Sequence, residues 1–425
     1  MKKEIGNIMT NKLFYFTLIL FSFLSCQTKP EAKGESLENL NNNKIDSLAN
    51  RYLELNRFSG AILVSKNDSI IYNRNFGLAN YENNIEFTNK TAFKIGRISE
   101  LITAGIIHKM EKEGAFRLSD SISEYIPDIK NTFTIEDLLN HKTNLPTIQQ
   151  IQEENPELDY ETVVFTNIAL SSSKKPEYSE LNYNILGMLI EKISEKTFQE
   201  NLANYGNDLK LENTFFNKTN AILATGYLFH NYRGTGLELQ KAPVSNLEIT
   251  FSSNGLKSTI SDLAKIINAS SKKSLEIDGY MEDDGFSYSL IHNPETKTTI
   301  IILSNRRHPV AEEISNSIEA ILKNKNYRLP LARKPVKINK NLLKEYAGNY
   351  ALNENMNIEV LTKNDSLFLI MGPNTIYLVP QSSNQFYMED RDASMRFLKN
   401  TDSLVYQVEL LDAFLSGNKI NRKNK

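Results

Sequence analysis

Only one cysteine, Cys26, occurs in the 425 residues, so no intramolecular disulfide can staple the chain. With five histidines spread thinly, no His/Cys cluster has the spacing of a metal site, and no metal or other cofactor is expected. Glycine-rich phosphate loops and internal repeats are absent too. A formal net charge of −2 provides no basic field for nucleic acid, which is excluded as a partner. Long apolar runs are scarce, and the one from Leu13 to Leu24 is shorter than the ~20 residues that span a bilayer.

What is present begins with that run. Lys12 precedes it and Phe23-Leu24-Ser25-Cys26 follows it, an arrangement that looks like a bacterial lipoprotein signal with Cys26 as the lipidated residue. Residues 1–26 are therefore expected to be a signal peptide. Residues 27–45, rich in Lys, Glu, Gly, Ser and Asn, read as a flexible tether. The expected location is the cell envelope, anchored to a membrane by lipid on the periplasmic or outer-surface side.

The 40% hydrophobic content is enough for a sizeable core, and the length allows two domains. Phe58–Val64 and Asp68–Tyr72 read as two strands around a polar turn. Ile98, Leu101, Ile102, Ile106 and Met110 form a 3.6-residue stripe on a helix that stops at Gly114. Past residues 328–340, a Pro- and Arg-containing linker, the period changes to two. Ile358–Leu361, Ser366–Ile370, Thr375–Val379 and Ser403–Val408 then read as short strands of a small antiparallel domain over 341–416, with 417–425 as a basic, disordered tail.

The helix with that stripe opens on Phe93-Lys94-Ile95-Gly96-Arg97-Ile98-Ser99-Glu100, followed by Thr103-Ala104. This segment resembles the active-site helix of the serine β-lactamase and penicillin-binding-protein family, in the branch related to class C β-lactamases and D-amino-acid peptidases. There the run holds Ser-x-x-Lys, a nucleophile and an amine one helical turn apart. Here Arg97 stands in the serine's place and Glu100 in the lysine's. A guanidinium neither attacks a carbonyl nor loses its proton at useful pH. Ser99 is no substitute, because two residues along a helix turn it far from the pocket.

Two further motifs of the family are altered as well. Tyr178-Ser179-Glu180 resembles its Tyr-x-Asn at a helix start, with the tyrosine kept and the asparagine replaced by a carboxylate. Ile277-Asp278-Gly279, followed by Gly285-Phe286, resembles its His-x-Gly or Lys-Thr-Gly strand with Ile277 in the first position and Asp283-Asp284 as a small insertion. Phe133–His141 with Leu145-Pro146, Leu223–Tyr227 and Asn254–Ala264 match other landmarks of the family.

The resemblance implies an α+β fold over 46–327, an antiparallel sheet flanked by helices with a helical subdomain. Leu343–Tyr350 resembles the opening of a small lipocalin-like β-barrel often appended to this family, and whether its interior is packed or hollow stays open. Arg97 so placed needs anions, and an ion cluster with Glu100 and Glu180 plugging the old cleft is expected, its rim formed by Tyr178, Tyr280 and Asp278. The functional expectation is a pseudoenzyme with none of its catalytic residues intact, acting through a peptidoglycan-like or polar ligand or a protein partner. Two alternatives remain. One is an active serine hydrolase of D-amino-acid peptides, esters or β-lactams with a displaced nucleophile at Ser171, Ser172, Ser270 or Ser416, each three residues before a lysine. The other is a scaffold whose C-terminal barrel does the binding.

Overall fold

The structure is a computed structural model. It describes residues 37–423 except 130–132, 149, 152–177, 219, 231–237, 244–250, 271–272, 282–283, 308–309, 352–356, 372–373, 389–392 and 412–417. Cys26 and the signal segment lie outside the described residues, as do Ser171, Ser172 and Ser416.

A five-stranded antiparallel sheet organises the first part of the fold. β1 (Gly60–Lys66) and β2 (Ser69–Phe76) form a hairpin whose turn residues Asn67 and Asp68 take φ of 51° and 62°, the left-handed pair that matches the twist of adjoining strands. Three short pairs follow, β3 (Leu78–Asn80) with β4 (Ile85–Glu86), β5 (Phe93–Lys94) with β8 (Lys257–Ser258), and β6 (Tyr227–His230) with β7 (Glu238–Lys241). β9 (Leu275–Met281), β10 (Phe286–Asn293) and β11 (Thr298–Ser304) complete the large sheet in the order β2-β1-β11-β10-β9.

Both faces of this sheet are covered, which is why its inner strands are apolar almost throughout. On one face Ile62, Val64, Ile300 and Ile302 pack with Ile45, Leu48 and Tyr52 of the helix Leu37–Glu54 and with Ile314 and Ile318 of the helix Val310–Leu322. That first helix starts inside the stretch expected to be a flexible tether. On the other face Leu63, Leu290 and Ile301 pack with Ile102 and Ile106 of the helix Ser99–Lys112, with Leu186 and Leu189 of the helix Glu180–Ser194, and with Leu202 of the helix Phe198–Leu209.

The helix Ser99–Lys112 buries its expected stripe and stops as expected, with Gly114 at φ 83°. Leu101 is only half-buried, at the stripe's margin.

The C-terminal part is a closed antiparallel barrel, β12 (Gly348–Ala351), β13 (Asn357–Lys363), β14 (Ser366–Met371), β15 (Asn374–Pro380), β16 (Gln385–Met388), β17 (Ser394–Lys399), β18 (Val405–Leu411) and β19 (Lys419–Arg422). Closure depends on β19, which pairs with both β18 and β12, so the segment expected to be a disordered tail is instead the closing strand. The sequence is too short and too basic there to signal a strand, but pairing on two sides removes the last open edges. The interior is packed. Tyr346, from the helix Lys340–Tyr346, stacks on Phe397 at 4.4 Å, and Tyr350 and Phe386 pack edge-on against the same ring.

Candidate functional site

Three segments of the first part converge on one cleft: the turn before the helix Ser99–Lys112, the start of the helix Glu180–Ser194, and the inner face of β9 and β10. Gly96 holds φ 51° and opens a 3₁₀ turn, Gly96–Ile98, that precedes the helix. A Cβ on Gly96 would lie 2.3 Å from the Tyr288 ring, so only glycine fits between this turn and β10.

The turn presents Arg97 to the cleft. Its backbone N–H donates to Tyr288 Oη at 3.2 Å, and its guanidinium carbon lies 3.9 Å from the centre of the Tyr178 ring. Among the described residues no acceptor bonds the guanidinium, and its Nε is buried. Glu100 lies in the first turn of the helix and is buried, with 8% of its surface exposed. Its carboxylate accepts from Tyr178 Oη at 3.0 Å and lies 3.5 Å from His141 Nε2.

His141 in turn is held by Asn182. Thr143 Oγ1 donates to Asn182 Oδ1 at 2.6 Å, which orients the amide so that its nitrogen donates to Ser179 O at 3.1 Å and faces His141 Nδ1 at 3.2 Å. Nδ1 is then an acceptor, and the proton of the neutral ring sits on Nε2, toward Glu100. The imidazole packs between Tyr178 and Tyr183, at 4.9 and 5.2 Å between ring centres.

Burial, reinforced by the charges of Glu100 and Glu180, raises the Tyr178 hydroxyl far above the ordinary phenol range, against a smaller lowering by Arg97. The phenol stays protonated at any physiological pH. It is therefore a donor to Glu100 and not a base.

The expected ion cluster does not form. Among the described residues, Arg97 makes no ion pair with Glu100 or Glu180. Each carboxylate has its own support instead. Glu100 has Tyr178 and His141, while Glu180 sits in the first turn of its helix, where the backbone favours an anion, and accepts from the Ile148 N–H at 3.4 Å. The Tyr178 ring face supplies the negative potential over which Arg97 rests.

The third motif is also arranged differently from the expectation. Alternation along β9 puts Ile277 and Gly279 on the cleft side of the sheet and Asp278 on the other, where it is exposed and paired in register with Ser289. Asp278 is therefore no part of a rim, and the side chain of Tyr280 lies outside the described ones. Ile277 packs partly buried against the core. Gly279 lies opposite Tyr288, and a Cβ there would be 2.6 Å from Tyr288 Oη. Tyr288 thus fills the space between the Gly96 turn and β9.

Ser99 Oγ donates to Gly96 O at 2.6 Å and accepts from Leu256 N at 3.2 Å, fully buried, so it braces the turn.

Sequence reading missed several of these groups. His141 was visible only as a landmark, and Tyr288 carried no local signal at all. Asp284, placed in a small insertion, is buried and paired with Lys94. That pair lies beside Lys257, whose amine is lowered to about 8 by burial first and the Lys94 charge second. Among the described residues no group of His, Cys, Asp and Glu is placed to hold a metal.

The Beta-lactamase family matches residues 45–278, more than half of the chain. The chain belongs to the β-lactamase family. It is similar to the teichoic acid D-alanine hydrolase of Staphylococcus aureus strain MRSA252, 27% identical over 224 residues, 51% of this chain and 55% of that protein. It thus spans about half the length of the curated relatives it matches.

Among solved structures, FmtA from Staphylococcus aureus superposes with a TM-score of 0.57 at 21% identity, covering 71% of this chain and 90% of that one. The octameric penicillin-binding protein homologue from Pyrococcus abyssi gives 0.56 at 20%, covering 89% and 99%. A class C β-lactamase gives 0.56 at 15%, covering 68% and 98%. At these identities the likeness is one of fold.

Proposed function

We propose that this β-lactamase family member is a non-hydrolytic, lipid-anchored cell-envelope protein that acts by binding a ligand or partner through the old catalytic cleft. The observation that carries this reading is the closed chain Arg97–Tyr178–Glu100–His141. The residues at the nucleophile, tyrosine and lysine positions are engaged with one another, and none offers a nucleophile or a free base. The Arg97 amide supports the same reading. In acyl-transfer enzymes the nucleophile's own N–H commonly stabilises the oxyanion, whereas here it is spent on Tyr288.

The envelope location rests on the lipobox-like segment ending at Cys26. A relative named for removing D-alanine from teichoic acid makes polar, D-alanyl-bearing envelope material the natural class of ligand. The packed interior of the barrel favours a structural role for the C-terminal part over binding of an apolar molecule inside it.

Intact mass of the purified protein after incubation with a fluorophosphonate and a panel of penicillins tests the reading. The expected result is an unmodified mass from folded protein. A stoichiometric adduct would overturn it, and peptide mapping would then locate a displaced nucleophile.

A further inference from the structure

A basic, leucine-bearing segment joins the sheet-and-helix part of the fold to the barrel. From residue 323 to residue 344 the chain carries lysines and arginines and no Asp or Glu, in a protein whose formal net charge is −2. Residues 325–339 form neither helix nor strand, yet the segment is held at both ends. Arg51 Nε donates to Pro330 O at 3.2 Å, and the Val336 N–H donates to Pro380 O, on β15 of the barrel, at 2.9 Å. Between them Arg333 turns inward to Gln381 and Ser394.

What the held segment leaves outside is cationic and apolar together. Leu329 and Leu331 flank the buried Pro330 and are 44% and 56% exposed, and Val336 is exposed further along. Arg328, Lys334 and Lys337 stand exposed beside them, and among the described residues no ion pair or hydrogen bond holds their side chains. Lys340, by contrast, is spent on Asp365. A single exposed leucine is ordinary on a protein surface. Apolar side chains set among uncommitted cations match an interface where phosphate headgroups lie above acyl chains. A soluble polyanion would engage the cations and leave the leucines in water.

We infer that residues 328–337 lie on a bilayer of anionic lipid, with Arg328, Lys334 and Lys337 at the phosphates and Leu329, Leu331 and Val336 entering the headgroup region. Chain order brings this surface close to the expected anchor. Only residues 27–36 separate Cys26 from the helix Leu37–Glu54, whose Arg51 holds Pro330. The contact fixes how the protein sits on the membrane, which a lipid on a short tether leaves open. The inference goes beyond the cleft reading and shares with it only the envelope location.

Cosedimentation with vesicles of residues 27–425, the expected mature chain without an acyl group, tests the inference. The protein is expected to bind phosphatidylcholine vesicles that contain phosphatidylglycerol, to ignore vesicles of phosphatidylcholine alone, and to be released as salt is raised. Arg328→Gln/Lys334→Gln/Lys337→Gln should weaken binding about a hundredfold, roughly fivefold for each cation. Leu329→Ser/Leu331→Ser, which keeps every charge, should weaken it about tenfold. Thermal melts establish that both variants fold.

No binding, or equal binding to the two kinds of vesicle, overturns the inference. So does a charge variant that binds like the parent. A leucine variant that binds like the parent overturns it too, and assigns the patch to a soluble polyanion, for which polyphosphate is the probe. Because the sample carries no acyl group, failure here leaves both the lipid anchor at Cys26 and the non-hydrolytic reading standing.

Discussion

Arg97 lies with its guanidinium carbon 3.9 Å above the ring centre of Tyr178, well inside the ~6 Å range of a cation–π contact. The same phenol donates to Glu100, so one tyrosine satisfies a cation through its face and an anion through its hydroxyl. This division explains why the two charges need not meet each other. It also makes Tyr178 the residue on which the cleft's electrostatics turn.

The alkaline stability of the protein should therefore depend on Tyr178. Its folded-state hydroxyl titrates far above the unfolded value of about 10, chiefly through burial and then through Glu100. Stability from this group is fully present below that unfolded value. Above it the unfolded chain releases a proton that the folded chain retains, and stability falls as pH rises. Urea midpoints between pH 9.5 and 11 should fall less steeply in Tyr178→Phe, the difference in slope of the extrapolated free energy growing toward a limit of about 1.4 kcal/mol per pH unit. Parallel slopes would mean that the phenol is exposed in solution.

Restoring the family's reactive pair should not by itself restore a hydrolase. In Arg97→Ser/Glu100→Lys the amide of residue 97 still faces Tyr288 Oη, so an oxyanion donor stays occupied. Fluorophosphonate labelling of this double variant is expected to be slow, and adding Tyr288→Phe should speed it by about tenfold or more. Equal labelling rates with and without Tyr288→Phe would show that the amide is not limiting.

Gly279 and Tyr288 should be energetically coupled. A methyl at Gly279 would lie 2.6 Å from Tyr288 Oη, and the neighbouring Gly96 turn leaves the ring no room to retreat. Gly279→Ala is expected to cost about 1–3 kcal/mol, as overpacking does. The double variant with Tyr288→Phe, which removes the clashing oxygen, should recover about half of that cost. A double-mutant cycle by chemical denaturation measures the coupling, and additive effects would place the two side chains apart.

Ending the chain after Leu411 should open the barrel. β19 is the strand that joins β12 to β18, and Arg422 donates to the backbone oxygens of Glu345, Val405 and Ala347. Without it two sheet edges lie bare, a template for association. Size-exclusion chromatography should show oligomers, and the melt should begin at lower temperature. A monomeric truncation with an unchanged melt would return residues 417–425 to the status of a tail.

Much of the fold was legible because it rests on periodicity. The stripe from Ile98 to Met110, the two strands around a polar turn after Val64 and the change to period two after residue 340 are local patterns that report directly on burial. Arg97, Glu100 and Glu180 were singled out for another reason, since they stand in segments that resemble the family's motifs. The arrangement of their charges was not. An ion cluster satisfies the same composition as a cation on a ring and a carboxylate on a phenol, and only geometry distinguishes them.

The sequence by itself determined the resemblance to the β-lactamase family, carried by runs such as Phe133–His141 and Asn254–Ala264, and the alternation of an appended antiparallel domain. Both are carried by residues close together in the chain. Tertiary structure alone decided that Tyr288 reaches from β10 to the amide of Arg97, that His141 completes the shell of Glu100, and that Lys419–Arg422 closes the barrel. Each of these contacts joins residues far apart in the chain, where the partner is chosen by how sheets and helices pack, and no local pattern of side chains records that choice.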